Sequence, residues 1–161
     1  GGKEAFAVTG PGEYEIKGVY VKGIETFHDS AEGKERGLNT IYAITAEDIR
    51  LLHMGDFGEE RVRDQTLEEI GEIDILMLPV GGVYTMAAEA AAKAAKQIEP
   101  RFVIPMHYKL PGLALGIEGV EKFLKEMGAA GVAPEEKLAI KKKDFGGEEK
   151  TEVRLLKLAN G

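Results

Sequence analysis

Two apolar runs separated by an alanine-rich segment constrain the fold of this chain more than any other feature. Ile73–Val80 is almost continuously apolar, the pattern of a strand buried on both faces, and Arg101–Met106 repeats it. Between them, Thr85 is placed to cap a helix running through Ile98, with alanine at 87, 88, 90, 91, 92, 94 and 95. Small side chains let such a helix lie close against a sheet, and Pro100 stops it. A strand, a close-packed helix and a second buried strand make an α/β protein.

The remaining segments extend the sheet. Residues 13–24 alternate in polarity and pivot on Lys17-Gly18, which predicts a β-hairpin. Asn39–Thr45 and Ile49–Met54, joined by the polar turn Ala46-Glu47-Asp48, predict a second. Residues 60–70 are expected to form a short helix. A longer amphipathic helix is expected over 116–128, with Ile117, Val120, Phe123, Leu124 and Met127 on its inward stripe. Strands are predicted over 137–143 and 151–158, joined by Asp144-Phe145-Gly146-Gly147. The stretch from Asp29 to Gly37, rich in Gly, Asp and Glu, is expected to be a mobile surface loop and a candidate lid. The sum is one sheet of about seven strands with helices on one face, leaving a bare second face to be covered by another part of the protein, another copy or another chain.

Composition excludes several functions. A net charge of −7 and a pI near 5.1 speak against nucleic-acid binding, which needs clustered Lys and Arg. The one basic run, Lys141-Lys142-Lys143, reads as a solvated hairpin end. No apolar run approaches the roughly 20 residues that span a bilayer. With 43% hydrophobic and 30% charged residues, the 161-residue chain is expected to form a single domain, 1–161, with a real core. Its opening Gly1-Gly2, in place of an initiating Met, leads to the expectation that sequence precedes it. Zero cysteines remove disulfides and thiolate ligands and fit a cytoplasmic setting. Any metal must therefore sit on nitrogen and oxygen ligands.

Candidate ligands gather at strand ends. Leu51-Leu52-His53-Met54-Gly55-Asp56 and Pro105-Met106-His107-Tyr108 each carry an apolar strand into a residue of metal-ligand type, and His28 closes a third. Taken singly, Asp56 reads as a turn former and His28 or His107 as a hydrogen-bonded structural histidine. His53, one residue before the turn, reads as a packed neighbour rather than a ligand. Three strand ends together are more informative, because imidazole with carboxylate suits Zn²⁺, Fe²⁺ or Mn²⁺.

The blocks Gly10-Pro11-Gly12-Glu13-Tyr14-Glu15, His28, Leu52-His53-Met54-Gly55-Asp56, Asp74–Gly82 and Ile104-Pro105-Met106-His107-Tyr108 occur in this order. Over residues 8–130 the chain thereby resembles the C-terminal part of a metallo-β-lactamase-fold hydrolase, of the broad group that includes ascorbate-phosphate lactonases. The resemblance implies an αβ/βα sandwich with two metals at its edge. It matches His28 to the third-motif histidine of one metal, His107 to the last-motif histidine of the other, and Asp56 to the carboxylate bridging both. The family's first motif, His-x-His-x-Asp-His, has no counterpart here, so the chain is expected to be the C-terminal portion of a longer domain. His28, Asp56 and His107 are then expected to hold at most a single weak ion.

The function implied is metal-dependent hydrolysis, with Asp56 as the catalytic residue and metal-activated water attacking a small-molecule ester, lactone or phosphoester. Tyr108 and residues 81–85 are expected to line the pocket. The alternative is a catalytically inactive assembly module, pairing with itself as a homo-oligomer or with a chain that supplies the missing half.

Overall fold

A computed structural model describes residues 5–145 and 150–158. Seven strands form one mixed sheet whose spatial order is the order of the chain. They are β1 (Gly12–Ile16), β2 (Val19–Phe27), β3 (Leu38–Ala46), β4 (Ile49–His53), β5 (Ile75–Pro79), β6 (Phe102–Met106) and β7 (Glu152–Val153). The first four form an antiparallel meander, and β4 through β7 are parallel. The protein is thus α/β, as the apolar runs require. Among the described residues no helix is long and apolar enough to cross a membrane.

Both predicted hairpins form through two-residue turns with left-handed backbone. Lys17 and Gly18 have φ of 53° and 80°, and Ile16 pairs with Val19. Glu47 and Asp48 have φ of 50° and 59°, and Ala46 pairs with Ile49. Positive φ at both central positions matches the twist of the flanking strands.

Helices α1 (Asp64–Ile70) and α2 (Ala88–Ile98) precede β5 and β6, and α3 (Glu121–Glu126) follows β6. Ala88, Ala91, Ala92, Ala94 and Ala95 are buried on α2, joining Ile41, Leu52, Leu76, Leu78, Val103 and Phe123 in the main core. The expected close approach of helix and sheet is realised through these methyl groups.

Several expectations need correction. Thr85 does not cap α2, which starts at Ala88 behind Ala87 with no side-chain cap. Residues 82–86 instead close a tight turn, with the Gly82 N–H donating to the Met86 carbonyl at 3.0 Å. The helix expected over 116–128 shrinks to Glu121–Glu126, although Ile117, Val120, Phe123 and Leu124 are buried. Backbone groups of the preceding segment are engaged elsewhere: Glu118 N–H donates to the Gly81 carbonyl at 2.8 Å, and Lys109 N–H to the Glu118 carbonyl at 2.8 Å.

The terminal hairpin does not form either. Residues 137–141 lie outside any strand, Lys142–Phe145 make a 3₁₀ turn, and β7 pairs in parallel with β6. The Gly146-Gly147 part of the expected connection lies outside the described residues. Leu138, Ile140, Phe145 and Leu156 pack instead over Ile75, Phe102 and Ile104 on the sheet face opposite the main core. That face is therefore not bare over β5 and β6. The basic run is exposed but is no hairpin end, since the Lys142 ammonium donates to the Asp48 carbonyl at 2.7 Å.

Candidate metal centre

Strands β2, β4, β5 and β6 all run the same way, so their C-terminal ends share one edge of the sheet. His28 follows β2, Asp56 lies three residues past β4, and His107 directly follows β6. The fold thus brings all three sequence-predicted ligands to a single edge.

Around Asp56 the local sequence dictates the geometry. Met54 and Phe57 are fully buried, and Gly55 between them turns with φ of 57°. Two apolar anchors astride a left-handed glycine leave Asp56 pointing outward, its side chain 55% exposed. His107 Nε2 lies 3.9 Å from Asp56 Oδ1. Its Nδ1 is buried with no hydrogen-bond partner among the described residues. The backbone is aimed by strain: His107 has φ of 52°, a conformation that non-glycine residues rarely adopt outside functional or tightly constrained sites. Gly81 makes this possible, because a Cβ there would stand 2.2 Å from the His107 carbonyl oxygen.

His28 is half-buried and joins the edge through its main chain. Its N–H donates to the Gly37 carbonyl at 3.1 Å. Gly58, two residues past Asp56, approaches so closely that a Cβ would fall 2.3 Å from the His28 carbonyl. The side chains are less tightly gathered. Among the described residues, no group of three or more His, Cys, Asp or Glu side chains is close enough to hold a metal ion. By donor type, the Asp56–His107 pair fits a divalent cation of the zinc kind. By number, it supplies only part of a coordination shell.

His53, on the half-buried β4 end, accepts the Gly55 N–H on Nδ1 at 3.1 Å. Burial pushes its pKa down, against a smaller upward pull from the Asp56 carboxylate. It braces the turn beneath Asp56, in line with its reading as a packed neighbour.

The 29–37 loop is built around Asp29. Asp29 is buried, and its two carboxylate oxygens accept the N–H groups of Ala31, Gly33, Glu35 and Arg36 at 2.7–3.1 Å. Burial alone would raise its pKa, but those four donors outweigh it and hold the carboxyl below its ordinary value. The segment lies at the surface as expected, as a turn organised on the buried Asp29 carboxylate. Arg36 then places its guanidinium 5.6 Å from the Tyr84 ring centroid, tying the loop beside His28 to the loop beside His107.

Two supporting residues escaped the sequence reading. Glu59, buried, accepts the Phe27 N–H at 3.1 Å and pairs with Arg63 at 2.9 Å, fastening the end of β2. Asn39 clamps the turn that carries Asp56, accepting its N–H at 3.0 Å. An asparagine opening a strand is disfavoured by β-propensity, and that mismatch is the signal that marks it. Tyr108 is half-buried, with its hydroxyl pKa raised by burial and then by Glu121. A cleft of about 860 Å³ opens away from this edge, lined by Arg50, Asp74, Pro100 and Arg101 at the start of β5 and β6.

Residues 3–107 match the model of the beta-lactamase superfamily domain. The chain belongs to that superfamily. Curated relatives of this superfamily member include the UPF0173 metal-dependent hydrolases of Pyrococcus horikoshii (37% identical over 98 residues, 60% of this chain and 44% of the relative) and Thermococcus onnurineus (34% over 115 residues, 70% and 51%). The chain therefore spans about half the length of the curated relatives it matches. Among solved structures, a Thermotoga maritima protein assigned to the metallo-beta-lactamase superfamily as a Zn-dependent hydrolase is 32% identical. The match has a TM-score of 0.72 and covers 93% of this chain and 72% of that one. The metallo-beta-lactamase fold protein YhfI of Bacillus subtilis, 12% identical with a TM-score of 0.59 and covering 96% and 53%, shares the fold alone.

Proposed function

We propose that this chain carries part of the metal centre of a hydrolase acting on a small-molecule ester, lactone or phosphoester. The observation that carries the reading is the 3.9 Å approach of His107 Nε2 to Asp56 Oδ1 at the shared strand edge. Asp56 and His107 would hold the ion and His28 would complete the set from β2, with further ligands coming from outside these 161 residues. Zn²⁺ suits this donor set, and Fe²⁺ or Mn²⁺ would too. When bound, such an ion polarises the scissile group and brings the pKa of a coordinated water toward ~7. The chain's own residues present the carboxylate to solvent, fix the imidazole opposite it, and flank the edge with Tyr108 and the 81–86 turn. The acidic balance argues against a nucleic-acid substrate, and the lack of cysteine fits a cytoplasmic setting.

Calorimetric titration of Zn²⁺ into the full chain tests this reading. Wild type is expected to take up the ion, Asp56→Ala and His107→Ala to abolish uptake, and His53→Ala to keep most of it. Equal uptake by wild type and Asp56→Ala would refute the ligand assignment.

A second reading, a non-catalytic assembly module, is favoured by one observation. Val21, Ile44 and Leu51 form a cross-strand row on the face opposite the main core, and all three are only half-buried. Such a row suits a second copy or a partner chain. A dimeric mass in solution with no Zn²⁺ uptake would favour this reading, whereas a metal-binding monomer would exclude it.

A further inference from the structure

The β3–β4 ladder ends at Tyr42↔His53, yet the turn carrying Asp56 continues for three residues beyond it. Residues 54–56 therefore have no strand partner on β3 for their backbone groups. The Asn39 side chain takes that place. Its Nδ2 donates to the Met54 carbonyl at 3.0 Å and to Thr26 Oγ1 at 2.9 Å, while its Oδ1 accepts the Asp56 N–H at 3.0 Å. Three of the four hydrogen bonds an amide can make are thus formed, and their direction fixes the amide's orientation. Reversing it would set the carbonyl oxygen against the Met54 carbonyl and the NH₂ against the Asp56 N–H. Thr26, fully buried and paired with Asn39 across the β2–β3 ladder, anchors the clamp from below. Gly55 completes the fit, since a Cβ there would lie 2.6 Å from Asn39 Oδ1.

We propose that Asn39 is a positioning residue for the metal centre, holding the main chain of Asp56 so that its carboxylate stands opposite His107. The proposal rests on the reading of Asp56 as a ligand. Asp56 needs such help because its exposed side chain cannot be aimed by packing, so its place is set through its backbone. One amide joins the ends of β2 and β4 to the start of β3, and so couples the His28 side of the edge to the Asp56 side.

The test compares Asn39→Ala with Asn39→Asp in the full chain. Both lose the two Nδ2 donors and are expected to melt at lowered temperatures, Asn39→Asp at least as low as Asn39→Ala because its second carboxylate oxygen faces the Met54 carbonyl. Asn39→Asp alone keeps an oxygen for the Asp56 N–H. Amide hydrogen exchange is expected to show the Asp56 N–H exchanging about tenfold faster in Asn39→Ala than in wild type, with protection retained in Asn39→Asp. Zn²⁺ affinity is expected to fall about tenfold in Asn39→Ala and to stay near wild type in Asn39→Asp. The proposal is overturned if Asp56 protection is unchanged in Asn39→Ala, or if protection falls equally in both variants in step with their melting temperatures. If wild type takes up no Zn²⁺, the metal reading is what fails, and the exchange data still decide whether Asn39 holds Asp56.

Discussion

Asp29 and Asp56 stand at the same edge of the same sheet, each just beyond a strand, and their carboxylates meet opposite fates. Asp29 is buried and turned inward on four backbone N–H groups, where it organises the loop that follows it. Asp56 is exposed, held by its own main chain, with an imidazole 3.9 Å from its oxygen. A third aspartate, Asp74 at the start of β5, accepts the Arg50 N–H at 2.7 Å and ties β4 to β5 at the far edge. Residue type and proximity to a strand do not separate structure from chemistry. What separates them is where the oxygens point and whether the backbone has already claimed them.

The largest effect is expected where the backbone leaves no room. Gly81→Ala places a Cβ 2.2 Å from the His107 carbonyl, with backbone on both sides, and should cost about 1–3 kcal/mol of stability while displacing His107. Thermal unfolding and the His107 ring signals in NMR check both effects.

Asp29→Ala comes next. It should destabilise the protein and expose residues 31–36 to fast amide exchange, because four donors lose their acceptor. The contrast has a pH signature. The folded-state pKa of Asp29 lies below its unfolded value, so its contribution is complete above the ordinary carboxylate pKa of about 4 and is lost as pH falls through the folded value. Acid unfolding of Asp29→Asn should lack that component. An identical acid profile for wild type and Asp29→Asn would erase the distinction between the two aspartates.

Asp56→Ala should behave in the reverse way. Its side chain is 55% exposed, so stability should change by no more than about 0.5 kcal/mol, while Zn²⁺ uptake disappears. The smallest combined effect is expected for Tyr84→Ala, which removes an exposed contact with Arg36 at 5.6 Å, should cost about 0.5 kcal/mol and should leave Zn²⁺ uptake unchanged.

Much of this edge was legible in the amino-acid order because its supports are sequence-local. Lys17-Gly18 and Glu47-Asp48 announce their hairpins, and the apolar runs ending at Val80 and Met106 announce buried strands. Asp56 and His107 were legible as the residues those strands deliver. The supports that reach across the chain were not. Asn39 acts on a residue 17 positions away, and Asp29 acts through backbone donors that any sequence would supply. The terminal segment misled for a different reason. Leu138 and Ile140 alternate as a strand does, but the same spacing serves a segment laid across a sheet face, and only the packing distinguishes the two. The stripe from Ile117 to Met127 likewise reads as one long helix, because nothing local reveals that Glu118 N–H is held by Gly81.

The central claim is that the Asp56–His107 edge is a metal-binding edge, and a crystal of the full chain soaked in Zn²⁺ tests it most directly. An anomalous difference peak within about 2.0–2.2 Å of both His107 Nε2 and an Asp56 carboxylate oxygen is the expected result. A Zn²⁺ peak seated at His53 or on surface carboxylates, with none between Asp56 and His107, would contradict it.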